Sequence, residues 1–382
     1  MDSTFITIPD IGPGCGSVRG RSYLDTDQDC APAEYQYGMA NVLYEILPGP
    51  YYTMSLPVPG EYALQLPIGN YTIEQVSNTL DPWCTPGPLP FEVVGLAGPV
   101  HVDFADTSLV LPNASDIEVL IASGAARPGF DMQYAIDVRN LDDGYSGPIV
   151  LTMEFDPVLE YLGASSTPAS VSGNTLVWNI NSIGGMQRYS YRVDLHVPPD
   201  IQLLGTVLNA AVTIAPSLPD INPANNTADL PVVVSGAYDP NDKLAKTSTR
   251  YSDSLYYVGA DAWIDYTIRF QNTGTDTAFN VVITDTLASN LDLRKFIPGP
   301  SSHPYEVSIR NGTTLRFAFY RIQVPDSNVN EAASHGFVSF RIAPKDPLVP
   351  GEEIINTANI YFDFNPPAIT EPSVLVAEFS SG

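Results

Sequence analysis

Lysine is almost missing from this chain of 382 residues: it occurs only as Lys243, Lys246, Lys295 and Lys345. Charged residues of every kind make up 16%, well under the roughly 25% of ordinary soluble domains. Solvent-facing helices draw heavily on Lys, Glu and Ala, so this scarcity excludes a mainly helical protein. Basic residues number 17 against 43 acidic ones, a net charge of −26. A surface so negative repels phosphate backbones, and no basic stripe with interleaved aromatics is present, which excludes a nucleic-acid partner. No apolar run approaches the ~18 residues that span a bilayer. Met1 to Gly14 has no basic segment followed by a hydrophobic stretch, so it does not read as a signal peptide. Catalytic motifs are missing too. His101, His196, His303 and His335 are scattered, and none belongs to a His-Glu-x-x-His pair. There is no Gly-x-Ser-x-Gly elbow, phosphate loop or dinucleotide fingerprint. The expectation is a protein that is not an enzyme and has no catalytic residues.

What is abundant points to strands and turns: 35 prolines, 28 glycines and 21 tyrosines, with 44% hydrophobic residues for packed cores. The chain also repeats itself. Tyr134-Ala-Ile-Asp-Val-Arg-Asn140 resembles Tyr266-Thr-Ile-Arg-Phe-Gln-Asn272, each an alternating strand that stops at Asn before a turn. Pro148–Met153 then matches Asn280–Asp285, Thr175–Asn179 matches Thr314–Ala318, Tyr191–Leu195 matches Val338–Ile342, and Gly205–Ala211 matches Gly351–Ala358. The order is kept while the separation widens, so added residues sit in loops of a duplicated all-β unit. Seven or so short strands per copy, each with one face buried, predict an immunoglobulin-like sandwich.

The first hundred residues form a different module. Val18–Tyr23 reads as a strand entering an acidic loop, Tyr62–Leu66 and Asn70–Glu74 as a hairpin around Pro67-Ile-Gly69, and Phe91–Val94 and Val100–Phe104 as closing strands. The fold class expected is therefore all-β, with three tandem β-sandwiches, prealbumin-like and then two immunoglobulin-like. Residues 1–14 are a linker or donor strand, 15–107 the first sandwich, 108–236 the second and 237–378 the third.

Several segments resemble known families. Gly60–Ile73 with the upstream loop Asp25-Thr-Asp-Gln-Asp29 is similar to the B-type domains of collagen adhesins and serine–aspartate repeat adhesins. Asp220-Ile-Asn-Pro-Ala-Asn-Asn226 resembles the closing motif of a bacterial surface repeat. Asp239-Pro-Asn-Asp-Lys243, Tyr266–Asp276 and Tyr361-Phe-Asp-Phe-Asn-Pro-Pro367 together resemble a conserved domain of large secreted Bacteroidota proteins, one that usually precedes a type IX sorting domain. The resemblance implies export, a cell-surface or secreted location and a structural or adhesive role. Its Asp-Ser/Thr-apolar triplets at Asp253, Asp276 and Asp285 match the O-glycosylation pattern of such exported proteins.

Two sites suit calcium, which takes six to eight oxygen ligands. Asp25, Asp27 and Asp29 stand at positions 1, 3 and 5 of a tight loop, with Glu34 beyond; similar loops bind calcium in the serine–aspartate adhesins. Cys30 departs from that pattern, replacing the glycine of position 6. The second site unites Asp239, Asn241 and Asp242 at the start of the third module with Asp363 near its end. Of Cys15, Cys30 and Cys84, the pair Cys30–Cys84 is favoured, with Cys15–Cys84 as competitor; closing the Cys30–Cys84 loop contributes about 4 kcal/mol in the chain-entropy account. The expected role is a stalk or display array. The alternatives are a filament subunit that donates Ser3–Ile8 to a neighbour's sheet edge, and carbohydrate-binding or accessory domains of a larger exported enzyme. Partners would be neighbouring domains, copies of the same protein, or a surface glycan or protein.

Overall fold

The computed structural model describes residues 15–25, 29–30, 38–49, 51–56, 60–76, 80–81, 83–84, 86–95, 98–108, 113–142, 144–236, 241–310 and 312–379. Asp27, Glu34, Asp239 and the segment 1–14 lie outside them. The protein is all-β: its described strands form six sheets, and the few helical turns described are short 3-10 segments such as Ile201–Leu203 and Ala332–Ser334. The chain divides into two compact units, Met1–Thr107 and Ser108–Gly382.

In the first unit one sheet runs Glu61–Pro67, Cys15–Leu24, Phe104–Ser108, Leu80–Asp81, and the other Tyr51–Met54, Leu43–Leu47, Gly69–Val76, Leu89–Val93. Rings from the two sheets meet between them: Tyr44 stacks on Tyr62 at 4.2 Å and tilts toward Phe104 at 5.2 Å. The opening strand pairs in parallel with Val100–His101 and with Phe104–Ser108. It comes so close to Val102 that a Cβ on Gly20 would lie 1.6 Å from the Val102 carbonyl oxygen, so only glycine fits there.

The expected hairpin of Tyr62–Leu66 with Asn70–Glu74 does not form. Glu61–Pro67 pairs with the first strand, whereas Gly69–Val76 pairs with Leu43–Leu47 and Leu89–Val93 in the opposite sheet. Ile68 alone joins the two strands, one residue where the tightest common hairpin loop needs two. Pro67 also lacks the N–H that a ladder would use. The chain crosses between sheets instead, burying Leu66 in one and Tyr71 in the other.

The second unit repeats one topology. Ile117–Ser123, Asp131–Asn140, Arg188–His196 and Glu160–Ala164 form one sheet; Lys243–Thr247, Ile264–Gln271, His335–Pro344 and Leu291–Ser301 take the same order in another. Facing them, Thr175–Ile180, Ile149–Glu154 and Val207–Pro216 correspond to Thr314–Phe319, Val281–Thr286 and Glu353–Phe362. One core runs from Ile117, Tyr134 and Val193 to Met153, Trp178 and Val212 across the earlier pair of sheets. In the later pair the cross-sheet contacts are aromatic, Phe317 on Phe340 at 5.7 Å and Phe270 on Phe319 at 5.4 Å. Period-2 alternation, apolar side chains inward, accounts for both.

Both copies lock the turn after the matching strands Asp131–Asn140 and Ile264–Gln271 in the same way. Asn140 Nδ2 donates to the carbonyls of Gly144 (2.8 Å) and Ile183 (3.1 Å), and its Oδ1 accepts from Asp142 N. Asn272 Nδ2 donates to those of Asp276 (2.8 Å) and Val324 (3.0 Å), and its Oδ1 accepts from Gly274 N. A buried amide that satisfies three backbone groups fixes where each strand stops.

Candidate functional site

The opening strand of the first unit delivers Asp25 to the end of its sheet, where Asp25 N donates to Asp106 O at 2.8 Å. The side chain is buried, 1% exposed. Its Oδ2 accepts from Cys30 N at 3.1 Å and lies 3.3 Å from Cys84 Sγ, while its Oδ1 has no hydrogen-bond partner. Asp29 is exposed at the same loop. Cys30, standing where a calcium loop has glycine, takes the left-handed conformation that glycine favours (φ 60°). It is bonded to Cys84 with the Cα atoms 5.5 Å apart, closing a separation of 54 residues; Cys15 carries no disulfide. The pairing favoured from the sequence is the one present. Asp25, Cys30 and Cys84 bring ligand-type atoms within 4.8 Å of one another. The two sulfurs are bonded to each other, so no thiolate remains for a soft metal. An orphaned, buried carboxylate oxygen fits a hard cation.

The described residues of the other acidic set each have protein partners. Asp242 is gripped by Arg269, whose Nε donates to Oδ1 at 2.6 Å and whose Nη2 donates to Oδ2. Asn241 Oδ1 accepts from Gln271 N at 3.3 Å. Asp363, itself left-handed at φ 50°, accepts from Phe279 N (3.0 Å) and Asn280 N (2.8 Å) just before strand Val281–Thr286, which is not in the sheet of Lys243–Thr247. These residues fasten strand ends, and among the described residues no hydrogen bond or ion pair joins Asp363 to Asn241 or Asp242.

A cavity of about 510 Å³ lies where the two sandwiches of the second unit meet, lined by Arg127, Asp131, Gln133, Arg269, His303 and His335 among others. Its charged side chains have protein partners, while Gln133 Oε1 is buried with none. Arg127 reaches Glu331 across the junction and lies 4.0 Å over the Phe130 ring; Glu331 also meets His335 Nε2 at 2.8 Å. His303 Nδ1 is 2.8 Å from Ser302 Oγ, Gln133 donates to Asp194 at 2.8 Å, and Asp131 pairs with His196 at 2.6 Å. Burial, aided by the Arg192 charge, takes the His303 imidazole down to about 4. Burial lowers His335 as well, against the pull of Glu331. Both rings are therefore neutral near pH 7, and neither sits beside a nucleophile with a free approach. Arg127 and Glu331 stand 204 residues apart, and no pattern in the sequence marks them as partners.

Residues 239–374 match the model of a domain family of unknown function (DUF7619). No curated protein sequence matches the chain. Among solved structures, the chain is similar to the C-terminal domain of the Streptococcus agalactiae AgI/II polypeptide BspA, at 12% identity and TM-score 0.25, covering 69% of this chain and 99% of that one. It is similar to BcpA, the major pilin subunit of Bacillus cereus, at 11% identity and TM-score 0.27, covering 96% and 98%. A third is the collagen adhesin of S. aureus, at 8% identity and TM-score 0.24, covering 70% and 93%. Values this low carry nothing of those proteins' roles over to this chain.

Proposed function

We propose that this chain is a non-catalytic segment of an exported bacterial protein, a spacer or display array that holds other parts away from a cell surface. The observation that carries this reading is the second unit, where two copies of one sandwich fuse into a single compact body. At their junction Arg127 pairs with Glu331, Glu331 with His335 and Gln133 with Asp194. The disulfide of the first unit supports an oxidising, extracytoplasmic compartment. The resemblance of Asp239–Lys243 and Tyr361–Pro367 supports type IX export from a Bacteroidota cell. No helix among the described residues is long and apolar enough to cross a membrane.

In the first unit, the reading includes a structural calcium ion on the Asp25 loop, with Asp25 Oδ1 as anchor and Asp29, Asp27 and Glu34 as the remaining carboxylates. Bound there, the ion would supply positive charge to a carboxylate that has no donor on one oxygen, and so stiffen the entry to the disulfide loop.

Calorimetric titration of chelator-treated protein with calcium is expected to give saturable binding and a higher melting temperature, both lost in Asp25→Asn. Equal melting with calcium and with chelator would remove the ion and leave the spacer reading standing. The spacer reading itself is tested by antibody labelling of intact source cells and by a panel of hydrolase substrates. Signal confined to lysed cells, or turnover by the purified chain, would overturn it.

A further inference from the structure

The later sandwich of the second unit buries a polar cluster that its fold does not require. Lys243 in strand Lys243–Thr247 and Asp285 in strand Val281–Thr286 have side chains with 0% exposure, and Lys243 Nζ donates to Asp285 Oδ2. The amine lies 4.5 Å from the centre of the Tyr266 ring and 5.5 Å from that of Phe340, so it is walled by aromatics rather than water. Asn356 in strand Glu353–Phe362 is 1% exposed. Ala358 pairs directly with Asp285, and Asn356, two residues along, shares that inward face. The carboxamide is near enough to bear on the titration of Asp285 and of Tyr266. Yet neither Nδ2 nor Oδ1 of Asn356 has a hydrogen-bond partner, and neither does Oδ1 of Asp285. Buried amides are hydrogen-bonded with few exceptions, and each exception needs a reason.

The neighbouring copy of the sandwich shows that packing is not the reason. Lys243 pairs with Ile268, and at the matching place Ile121 pairs with Ile136. Asp285 pairs with Leu315 and Ala358 where Met153 pairs with Leu176 and Val212. Asn356 accordingly corresponds to Ala210. The same three places are thus Ile121, Met153 and Ala210, all apolar, in a sandwich of the same topology. Hydrophobic replacement of a buried ion pair is often neutral or stabilising, so a lysine, a carboxyl and a carboxamide gathered here call for a chemical role. Burial drives the Lys243 amine down to about 8 and the Asp285 carboxyl upward, each against the attraction of the other. Both shifts favour a neutral amine beside a protonated acid, the state in which an amine is a nucleophile and a carboxyl can donate.

We propose that Lys243 and Asn356 become joined by an isopeptide bond inside the folded chain, with Asp285 carrying the proton. The neutral Nζ attacks the Asn356 side-chain carbonyl carbon while the Asp285 carboxyl hydrogen-bonds its oxygen. The Nζ–C bond forms, a proton passes from Nζ through the Asp285 carboxyl to Nδ2, the C–Nδ2 bond breaks, and ammonia leaves. Nothing is oxidised or reduced, and the Asp285 carboxyl ends protonated as it began. The product ties strand Lys243–Thr247 of one sheet to strand Glu353–Phe362 of the other.

Intact-mass measurement of the purified, reduced chain decides the matter. The wild-type protein is expected to be lighter than its sequence mass by about 17 Da, one ammonia, and proteolysis should yield a branched peptide joining Lys243 to Asn356. Asn356→Ala, which installs the residue of the sister sandwich, should keep its full mass, as should the triple variant K243I/D285M/N356A; both are expected to stay folded by circular dichroism. A wild-type chain at full mass would overturn the proposal, whatever the variants do. So would a loss of about 17 Da that Asn356→Ala also shows, or that yields no branched peptide, since cyclisation at another asparagine removes the same mass.

Discussion

Asn272 shows how one side chain can stand for a whole turn. Its amide satisfies two carbonyls and one N–H, and Asn140 does the same in the sister copy. Asn272→Ala leaves the Val324 carbonyl buried without that donor, so urea denaturation should show a loss of about 2–3 kcal/mol in the second unit. Asn272→Asp should recover little of it, because a carboxylate cannot donate. His303 makes a second prediction at this scale. Its folded value lies below the unfolded value of 6.5, so the unfolded chain binds the proton first as pH falls. The stability that the neutral ring contributes is fully present above pH 6.5 and drains away down to about pH 4, by about 2–3 kcal/mol. His303→Gln should flatten that stretch of the stability-against-pH curve; an unchanged slope would show that the ring is not held neutral.

Among the strands, alternation made nearly every buried face legible before the fold was known, but not which sheet a strand joins. Tyr62–Leu66 and Asn70–Glu74 carry the pattern of a hairpin, and only the single-residue link and Pro67 decide against it. Register is equally hidden. Asn209 and Asn356 read alike in sequence, yet the pairing of Met153 with Val212 puts Ala210 inward and leaves Asn209 exposed. The Lys243 cluster was illegible for that reason: its members lie on three strands, and Asp285 reads from sequence as part of a surface glycosylation triplet whereas its carboxyl is buried. The acidic loop was more legible, since Asp25 follows a clear strand and Cys30 stands where glycine is expected. What the sequence could not show was that one Asp25 oxygen would be left without a donor. Cys84→Ser tests the loop as an element. Opening it should cost the first unit about 4 kcal/mol in the chain-entropy account, read as an earlier melting transition of that unit alone.

Across the whole chain, the charge imbalance and the scarcity of lysine limit how the sandwiches can be fastened. Few cations are available, and the structure uses them at strand ends and junctions: Arg269 on Asp242, Arg341 and Arg250 on Asp265, Arg127 on Glu331. The opening strand of the first unit gives this economy a mechanical meaning. Cys15–Leu24 lies parallel to the closing strand Phe104–Ser108, with Ser22 beside Phe104 and Leu24 beside Asp106. Tension applied to the two ends of that unit pulls these neighbours along their own length in opposite directions. Their hydrogen bonds then resist together instead of peeling one by one, so the unit should yield to stretching only at high force.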